Sequence, residues 1–383
     1  MYKKNTMTYS NVCFVILFIV MIIIIYMTYT KDENIKHKYF RYGKHLENSI
    51  EVIDGFKYLF RKEGIKRSHN VKDATCIFFY KLEDFKKLNM CNFNDKKIIY
   101  GFKTSDTFCS KVGIYKLLKY YLEKDILDKL IPTTYVINEQ ESFNELTTNF
   151  EKMIKKNVIF ILKNDIQRQE GLLITNQYKD ITNASRNKYL VVQHLLQEPF
   201  LINNRKINMR VYMLMCLKDK RPSLYIYNDG FMYYTPKFYK KNSLDKDENI
   251  TTGYIDRKVY EDNPLTIKDF RKYLDENNHD KHLFNDNLKY LFKNVCSSIQ
   301  LHVIENESLD NCVDKNDQFN IFGCDVAVNS KLQLKLMEIN KGPDLNAKDG
   351  RDGKLKSKLI EDSWNIITSN YDVLFETDFI KIC

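Results

Sequence analysis

Glycine and proline are both scarce, 12 and 6 of 383 residues, which excludes a collagen-like or low-complexity architecture. The nine cysteines are scattered from Cys13 to Cys383 with no CxxC pair, so their spacing describes neither a disulfide framework nor a zinc site. No internal repeat is found. Neither charge sign dominates: 60 Lys and Arg against 50 Asp and Glu leave a net +10 spread along the whole chain. That is an ordinary solvated surface which would also suit an acidic partner. The apolar content, 44%, is too high for a disordered chain, and the length predicts two or three structural units around a real core.

The longest apolar run is Val12 to Met27 (VCFVILFIVMIIIIYM), with no charge and no strongly polar residue. Carried on through Thr28, Tyr29 and Thr30, it reaches about the ~20 residues that cross a hydrocarbon core as a helix. A cleaved signal peptide is the other reading. The run exceeds the usual signal-peptide core, however, and Tyr26, Met27 and Tyr29 stand where a signal peptidase needs small residues. A transmembrane anchor over 12–30 is therefore expected. Lys31, Lys36, Lys38, Arg41 and Lys44 follow the run, against Lys3 and Lys4 before it, which places the large C-terminal part in the cytosol as a single-pass membrane protein.

Residues 31–70 are charged, with Ile50, Ile53, Phe56, Leu59 and Phe60 at helix spacing. Two short apolar runs, Cys76–Tyr80 and Ile98–Phe102, read as buried strands flanking a helix over Lys81–Leu88. Ile114, Leu117, Leu118, Tyr121 and Leu122 then describe an amphipathic helix with Ser110 as its N-cap. This alternation predicts a small α/β unit over 71–150, after a tail at 1–11, the anchor at 12–30 and a linker helix at 31–70. Beyond it, strands are expected at Val158–Leu162, Leu172–Thr175, Tyr189–Gln193, Val211–Leu217, Leu224–Asn228 and Phe231–Tyr234. Residues of about 240–285 read as a charged insertion with a mobile loop and at least one helix. A helix over Leu288–Val303, strands at Ile321–Val328 and Leu332–Ile339, and a helix over Leu355–Ser369 complete the 151–383 unit. The fold class is α+β.

The informative stretch is Phe322–Pro343. Asp325 interrupts an apolar strand, while Glu338 and Asn340 close the next one two residues apart, on one face. A buried carboxylate needs a partner or a metal. This oxygen-only donor set suits Mg²⁺ completed by phosphate oxygens. If Asn329-Ser330 were a two-residue turn, Asp325 would face Leu334 and Glu338 would lie roughly 13 Å further along the strand. Only a longer loop or a bulge brings the two acids alongside.

Several segments taken in order resemble the tubulin–tyrosine ligase and ligase-like family, which has the ATP-grasp fold. Phe322–Pro343 is similar to its metal-binding strand pair. Ser110–Leu118 with Ile131-Pro132-Thr133-Thr134-Tyr135-Val136 resembles its Lys-bearing helix and P-x-T-[FY] strand. Ile161-Leu162-Lys163 and Glu170–Ile174 resemble its phosphate-binding lysine and glycine loop. Val191–Leu196 resembles the hinge that holds adenine, and Arg205–Tyr212 its R-K-[FW]-D-[IL]-R strand. The resemblance implies an ATP-grasp fold behind a small N-terminal α/β domain. It implies Lys111 and Lys163 on phosphates, the backbone of Gln193, His194, Leu195 and Leu196 on adenine, and Lys206, Asn208 and Arg210 on the nucleotide. Arg210 and Glu338 would be catalytic, and Asp325, Glu338 and Asn340 would hold Mg²⁺.

The implied activity is ligation: ATP activates a protein carboxylate as an acyl-phosphate, and an amino acid's amine attacks it to form an amide. Tubulin or another acidic tail is the expected acceptor, with a free amino acid (Tyr, Glu or Gly) as co-substrate and no nucleic acid. The chain departs from the pattern at Asn208, where the family has Asp, and at Asn228, where ligases commonly place Arg. Its loop Asn164–Gly171 carries only one glycine, leaving Gln167, Arg168 or Gln169 to contact phosphate. These departures keep open a nucleotide-binding pseudo-ligase that serves as a microtubule- or protein-binding module. A ligase acting on a small molecule or a non-tubulin protein is the third reading.

Overall fold

The computed structural model describes residues 38–41, 51–79, 95–164, 171–219, 221–307, 316–369 and 376–383. The span expected over 12–30, the helix expected over Lys81–Leu88 and the loop residues Gln167, Arg168 and Gln169 lie outside them. Among the described residues no helix is long and apolar enough to cross a membrane.

The N-terminal elements are β1 (Lys38–Arg41), α1 (Glu51–Lys62), β2 (Lys66–Arg67), β3 (Cys76–Phe78) and β4 (Ile98–Tyr100), then α2 (Ser105–Phe108), α3 (Lys111–Tyr121) and α4 (Lys124–Leu130). Ser110 caps α3 as its position predicts, its side chain accepting from the Gly113 N–H. That satisfies one of the donors a helix leaves open at its start. Next come β5 (Thr134–Val136), α5 (Gln140–Lys155), β6 (Phe160–Lys163), β7 (Leu172–Thr175), α6 (Tyr178–Thr182) and β8 (Val191–His194). The chain then forms β9 (Leu201–Ile202), β10 (Arg205–Lys218), β11 (Arg221–Tyr234), α7 (Lys246–Asn249), α8 (Ile267–Glu276), α9 (Lys281–Glu307), β12 (Asp317–Val328), β13 (Leu334–Asn340), α10 (Gly350–Thr368) and β14 (Phe379–Lys381).

Two sheets result. The larger runs β14-β11-β10-β12-β4-β3-β1-β2, with β13 on β12 and β9 on β10; the smaller runs β5-β8-β6-β7. The strands do not divide at residue 150. β3 and β4 of the N-terminal stretch continue the large sheet, joined through the parallel pairing of β4 with the first residues of β12. β5, from the same stretch, belongs to the small sheet. In the small sheet, Phe160, Leu162 and Val192 pack under α5 and α6. Strand alternation therefore turns Ile161, Lys163, Val191 and Gln193 to the opposite face.

Three differences from the sequence expectation have physical causes. Tyr227-Asn228-Asp229-Gly230 reads as a turn, yet β11 runs straight through it. Val211 pairs Gly230 and Met213 pairs Ile226, so the extra residues are absorbed as a bulge. Asp229 holds that bulge by accepting from the Gly230 and Lys268 N–H groups, the second at the start of α8. Secondly, the segment 240–285 packs on β11: Tyr260, Leu265, Ile267, Phe270, Leu274 and Phe284 are buried, and α8 starts with a Thr266–Asp269 capping box. Thirdly, α9 begins at Lys281, seven residues before the expected Leu288.

An aromatic cluster locks α1 and α10 onto the large sheet. The buried Phe56 ring lies 5.5–6.0 Å from those of Phe60, Phe78, Tyr100 and Phe319, and Trp364 of α10 stacks edge-on against Phe60. Phe56→Ala removes the ring at the centre of this cluster and is expected to cost about 3–5 kcal/mol. Urea denaturation followed by circular dichroism checks it; a loss below ~1 kcal/mol would mean the cluster is peripheral to stability.

Candidate active site

The two acids of Phe322–Pro343 do come together, by both routes that bring them alongside. The connection between β12 and β13 is five residues, Asn329 to Gln333, because Val328 pairs Leu334. A bulge then adds Met337, so that Asp325 pairs Glu338 and Gly323 pairs Asn340. On the other side of β12, Asp325 pairs Arg210 of β10. Arg210, Asp325 and Glu338 thus lie in a row across three strands, with Asn340 beside them.

The Arg210–Asp325 contact is bidentate, Nε to Oδ1 at 2.5 Å and Nη2 to Oδ2 at 3.1 Å. Such a fork fixes orientation as well as charge. The Tyr233 ring lies under the guanidinium, 5.3 Å from its carbon, and contributes a cation–π contact. Gly323 makes room for it. A Cβ there would lie 2.9 Å from Arg210 Cδ and 3.0 Å from Nη1. Asn340 Nδ2 donates to Glu338 Oε1 at 3.2 Å and reaches Asp325 Oδ2 at 3.5 Å.

A narrow cleft opens beside this row between the two sheets, lined by Lys111, Lys163, Val191, Gln193, Leu336 and Met337 among others. Burial pulls the Lys163 ammonium down to about 8, with Glu338 opposing and Lys111 adding to the fall. Lys206 is likewise brought to about 8, by burial and then by Lys163. Burial pushes the Asp325 carboxyl up against the pull of Arg210. It acts the same way on Glu338, but Lys163 and Lys111 outweigh it and hold that carboxyl below its ordinary range. The pair of acids thus splits, Glu338 remaining the more firmly ionised.

Two residues of Gln193–Leu196, the segment expected as a hinge, already commit their backbone N–H groups. The His194 and Leu195 N–H groups donate to the Thr133 and Ile159 carbonyls, leaving Leu196 as the first residue beyond those bonds. Its carbonyl accepts from Lys206 Nζ at 3.3 Å, which brings Lys206 to the hinge. The His194 ring faces away from the cleft, packed on Phe160 and Tyr135, where burial takes it down to about 4. Gln193 donates Nε2 to Thr134 Oγ1 at 2.8 Å, which accounts for a Thr in the P-x-T strand. Among the described residues, no donor pairs with the buried Gln193 Oε1 or Asn208 Oδ1. Gly171 has φ +68°, and a Cβ there would lie 1.9 Å from Asn164 Oδ1, so any other residue would have to hold a left-handed backbone and displace the Asn164 side chain.

Tyr233, Gly323 and Lys335 were not legible as site residues. Lys335 Nζ donates to the Asp128 and Ile131 carbonyls at 2.6 and 3.0 Å, tying the end of α4 to β13. Gly323 had a signal, a glycine two residues before a strand-borne Asp; Tyr233 acts across a strand pair, and Lys335 between a strand and a helix, that sequence does not bring together.

Two predictions follow from the geometry. Gly323→Ala drives a methyl into Arg210 and is expected to cost about 1–3 kcal/mol. In an Arg210→Ala background most of that cost should vanish, a coupling read from a denaturation double-mutant cycle. The second concerns pH. Above pH 8 the folded protein holds Lys163 neutral while the unfolded chain keeps it charged up to about 10.5, so stability from this group rises with pH across that window. Anion binding runs the other way. ATP affinity should fall by about tenfold per pH unit above 8 for each lysine that must be recharged, with proton uptake seen by calorimetry in buffers of different ionisation enthalpy. Lys163→Arg should flatten the profile, and a flat profile in the unaltered protein would refute the buried-lysine account.

The chain is similar to known proteins over much of its length. The chain is 24% identical over 259 residues to a probable beta-tubulin polyglutamylase of Tetrahymena thermophila, covering 62% of this chain and 21% of that protein. It is 22% identical over 245 residues to tubulin glycylase 3B of Drosophila melanogaster, 58% of this chain and 32% of that one. It is 28% identical over 186 residues to the probable tubulin polyglutamylase TTLL9 of Rattus norvegicus, 46% and 38%. The matches thus span between about a fifth and two fifths of the relatives' lengths. The sequence model of the Tubulin-tyrosine ligase family matches residues 90–376, about three quarters of the chain and all of the row and cleft described above. With a mixed α/β architecture consistent with an ATP-grasp-like fold, the chain belongs to the tubulin–tyrosine ligase family.

Proposed function

We propose that this chain is a membrane-anchored, ATP- and Mg²⁺-dependent amino-acid ligase that joins an amino acid to a tubulin carboxylate through an amide bond. The observation that carries the reading is the row of Arg210, Asp325 and Glu338 across three adjacent strands, beside a cleft lined by Lys111 and Lys163. The donors fit the ligands. Two carboxylates and one amide are hard oxygen donors of the kind Mg²⁺ takes, once the Asn340 amide turns its oxygen inward. Gln193 Oε1 and Asn208 Oδ1 each lack a donor among the described residues, one that a base amino group or a ribose hydroxyl would supply.

Asp325, Glu338 and Asn340 would hold Mg²⁺, which supplies neutralisation of phosphate charge and polarisation of the phosphoryl oxygens. Lys163 and Lys111 would place cations at the phosphates, and the Leu196 backbone would meet the base. Arg210 commits Nε and Nη2 to Asp325. Its Nη1, with no hydrogen bond among the described residues, is the donor left for a phosphoryl oxygen, held in place before any charge develops. Positioning of this kind acts without reorganisation, which is why a fixed guanidinium outperforms a mobile one.

The acceptor and amino acid come from the relatives, whose names describe tubulin polyglutamylation and glycylation. Glutamate or glycine added to tubulin is the reading they support. The apolar segment 12–30 and the basic residues after it support an anchor with the folded part in the cytosol. A pseudo-ligase is the second reading. It is favoured by Asn208, whose buried Oδ1 stands uncharged where the family has Asp, and by Asn228 in the place of a substrate-side Arg.

The full chain with ATP, Mg²⁺, tubulin and a mixture of labelled amino acids tests both. Label incorporation with ADP release is expected, reduced on the order of 10²–10³-fold by Glu338→Gln. Asn208→Asp should raise the rate if the missing charge is the weakness. ATP binding without ADP release or incorporation would favour the pseudo-ligase, whereas ADP release without tubulin labelling would move the reading to another acceptor.

A further inference from the structure

The far edge of the large sheet carries a charge arrangement that the ligase reading does not use. β2 is the edge strand, and both its residues, Lys66 and Arg67, are exposed. It pairs with β1 in parallel register, placing Lys66 directly opposite Lys38. Like charges in direct opposition destabilise a strand pair. Arg61 in the last turn of α1 and Lys72 in the short helical turn after β2 are exposed on the same unit. None of Lys38, Arg61, Lys66, Arg67 and Lys72 makes an ion pair among the described residues, whereas their neighbour Lys62 binds Glu361 at 2.8 Å. Tyr58, 67% exposed, stands one turn before Arg61 on α1. Lysine on an edge strand also blocks strand addition. Two residues of β2 would suffice for that, and the matching Lys38 and the flanking Arg61 and Lys72 would not be needed.

We infer that this basic edge is a docking surface for an anionic phospholipid layer. The inference rests on reading residues 12–30 as a membrane span. The apolar run ends at Thr30, and β1 begins at Lys38, so the edge is tethered within roughly 25 Å of the hydrocarbon boundary. At physiological salt, attraction to such a surface extends about 8 Å beyond the headgroups, within the range of that tether. Anionic headgroups neutralise Lys38 and Lys66 together, which no carboxylate of the described chain does. An exposed tyrosine beside the cations suits the interface between headgroup and water. Docking would fix the orientation of the folded part about its tether.

The test uses the full chain in phosphatidylcholine vesicles with and without phosphatidylserine. Acetylation rates at Lys38, Lys66 and Lys72 are read by mass spectrometry, with Lys152 on α5 as an exposed internal control. Slower acetylation at the three edge lysines, several-fold, is expected only with phosphatidylserine and should be lost in high salt. Lys66→Glu with Arg67→Glu should abolish the protection at Lys38 and Lys72. Equal rates in both vesicles overturn the inference. So does protection by a glutamate-rich peptide on neutral vesicles in place of phosphatidylserine, which would assign the edge to an acidic protein tail. Failure of neutral vesicles to capture the chain would refute the span alone; salt-sensitive capture by phosphatidylserine vesicles would then still support the edge.

Discussion

A carboxylate in the middle of a central strand has to be answered by charge, and the Arg210–Asp325 pair is the interaction on which the rest of the site depends. Removing one partner of this part-buried pair leaves the other charge largely withdrawn from water and unanswered. Everything around it serves its geometry. The register of β10 on β12 sets the two residues opposite, Gly323 leaves the space the guanidinium occupies, and Tyr233 lies beneath it. With Asp325 held, the bulge at Met337 brings Glu338 level with it, and the row is complete.

The charge balance across the cleft is set by burial as much as by pairing. Lys163 and Lys206 both lose part of their hold on the proton because they are removed from water, while Glu338 keeps its charge because it faces Lys163 and Lys111. The ligand-free cleft therefore holds cations near the point of deprotonation beside one firmly ionised carboxylate. The two sheets divide this labour: the small one brings Lys163 and Gln193 on the face that its helices leave open, and the large one brings the acids and Arg210.

β12 has a second role. Its C-terminal half lies between β10 and β13 and carries Asp325, while its first residues pair with β4. The N-terminal strands are thereby continuous with the strand that holds the acid, rather than a separate body. Through β4, β3 and β1 this continuity reaches the basic edge at β2, so whatever docks there is connected to the site by one unbroken hydrogen-bonded sheet.

Much of this was legible one segment at a time. Local chemistry identifies Ser110 as a cap, Lys163 as the polar end of an apolar strand, and Asp325, Glu338 and Asn340 as oxygen donors set on neighbouring strands. These depend on residues close in sequence: a hydroxyl before a helix, a period of two, a charge in an apolar run. What failed to show locally was long-range. The Asp229-Gly230 pair has the composition of a turn, and only the pairing of β11 with β10 makes it a bulge. The charged 240–285 segment conceals its buried residues because a short amphipathic helix carries few apolar positions, and the surface that receives them is set by β11. Sequence alone determined which chemical groups the protein has and, through periodicity, which face of its element each occupies. Only the tertiary structure decided that Asp325 meets Arg210 on one side and Glu338 on the other, because strand register is a property of two strands at once and is invisible in either.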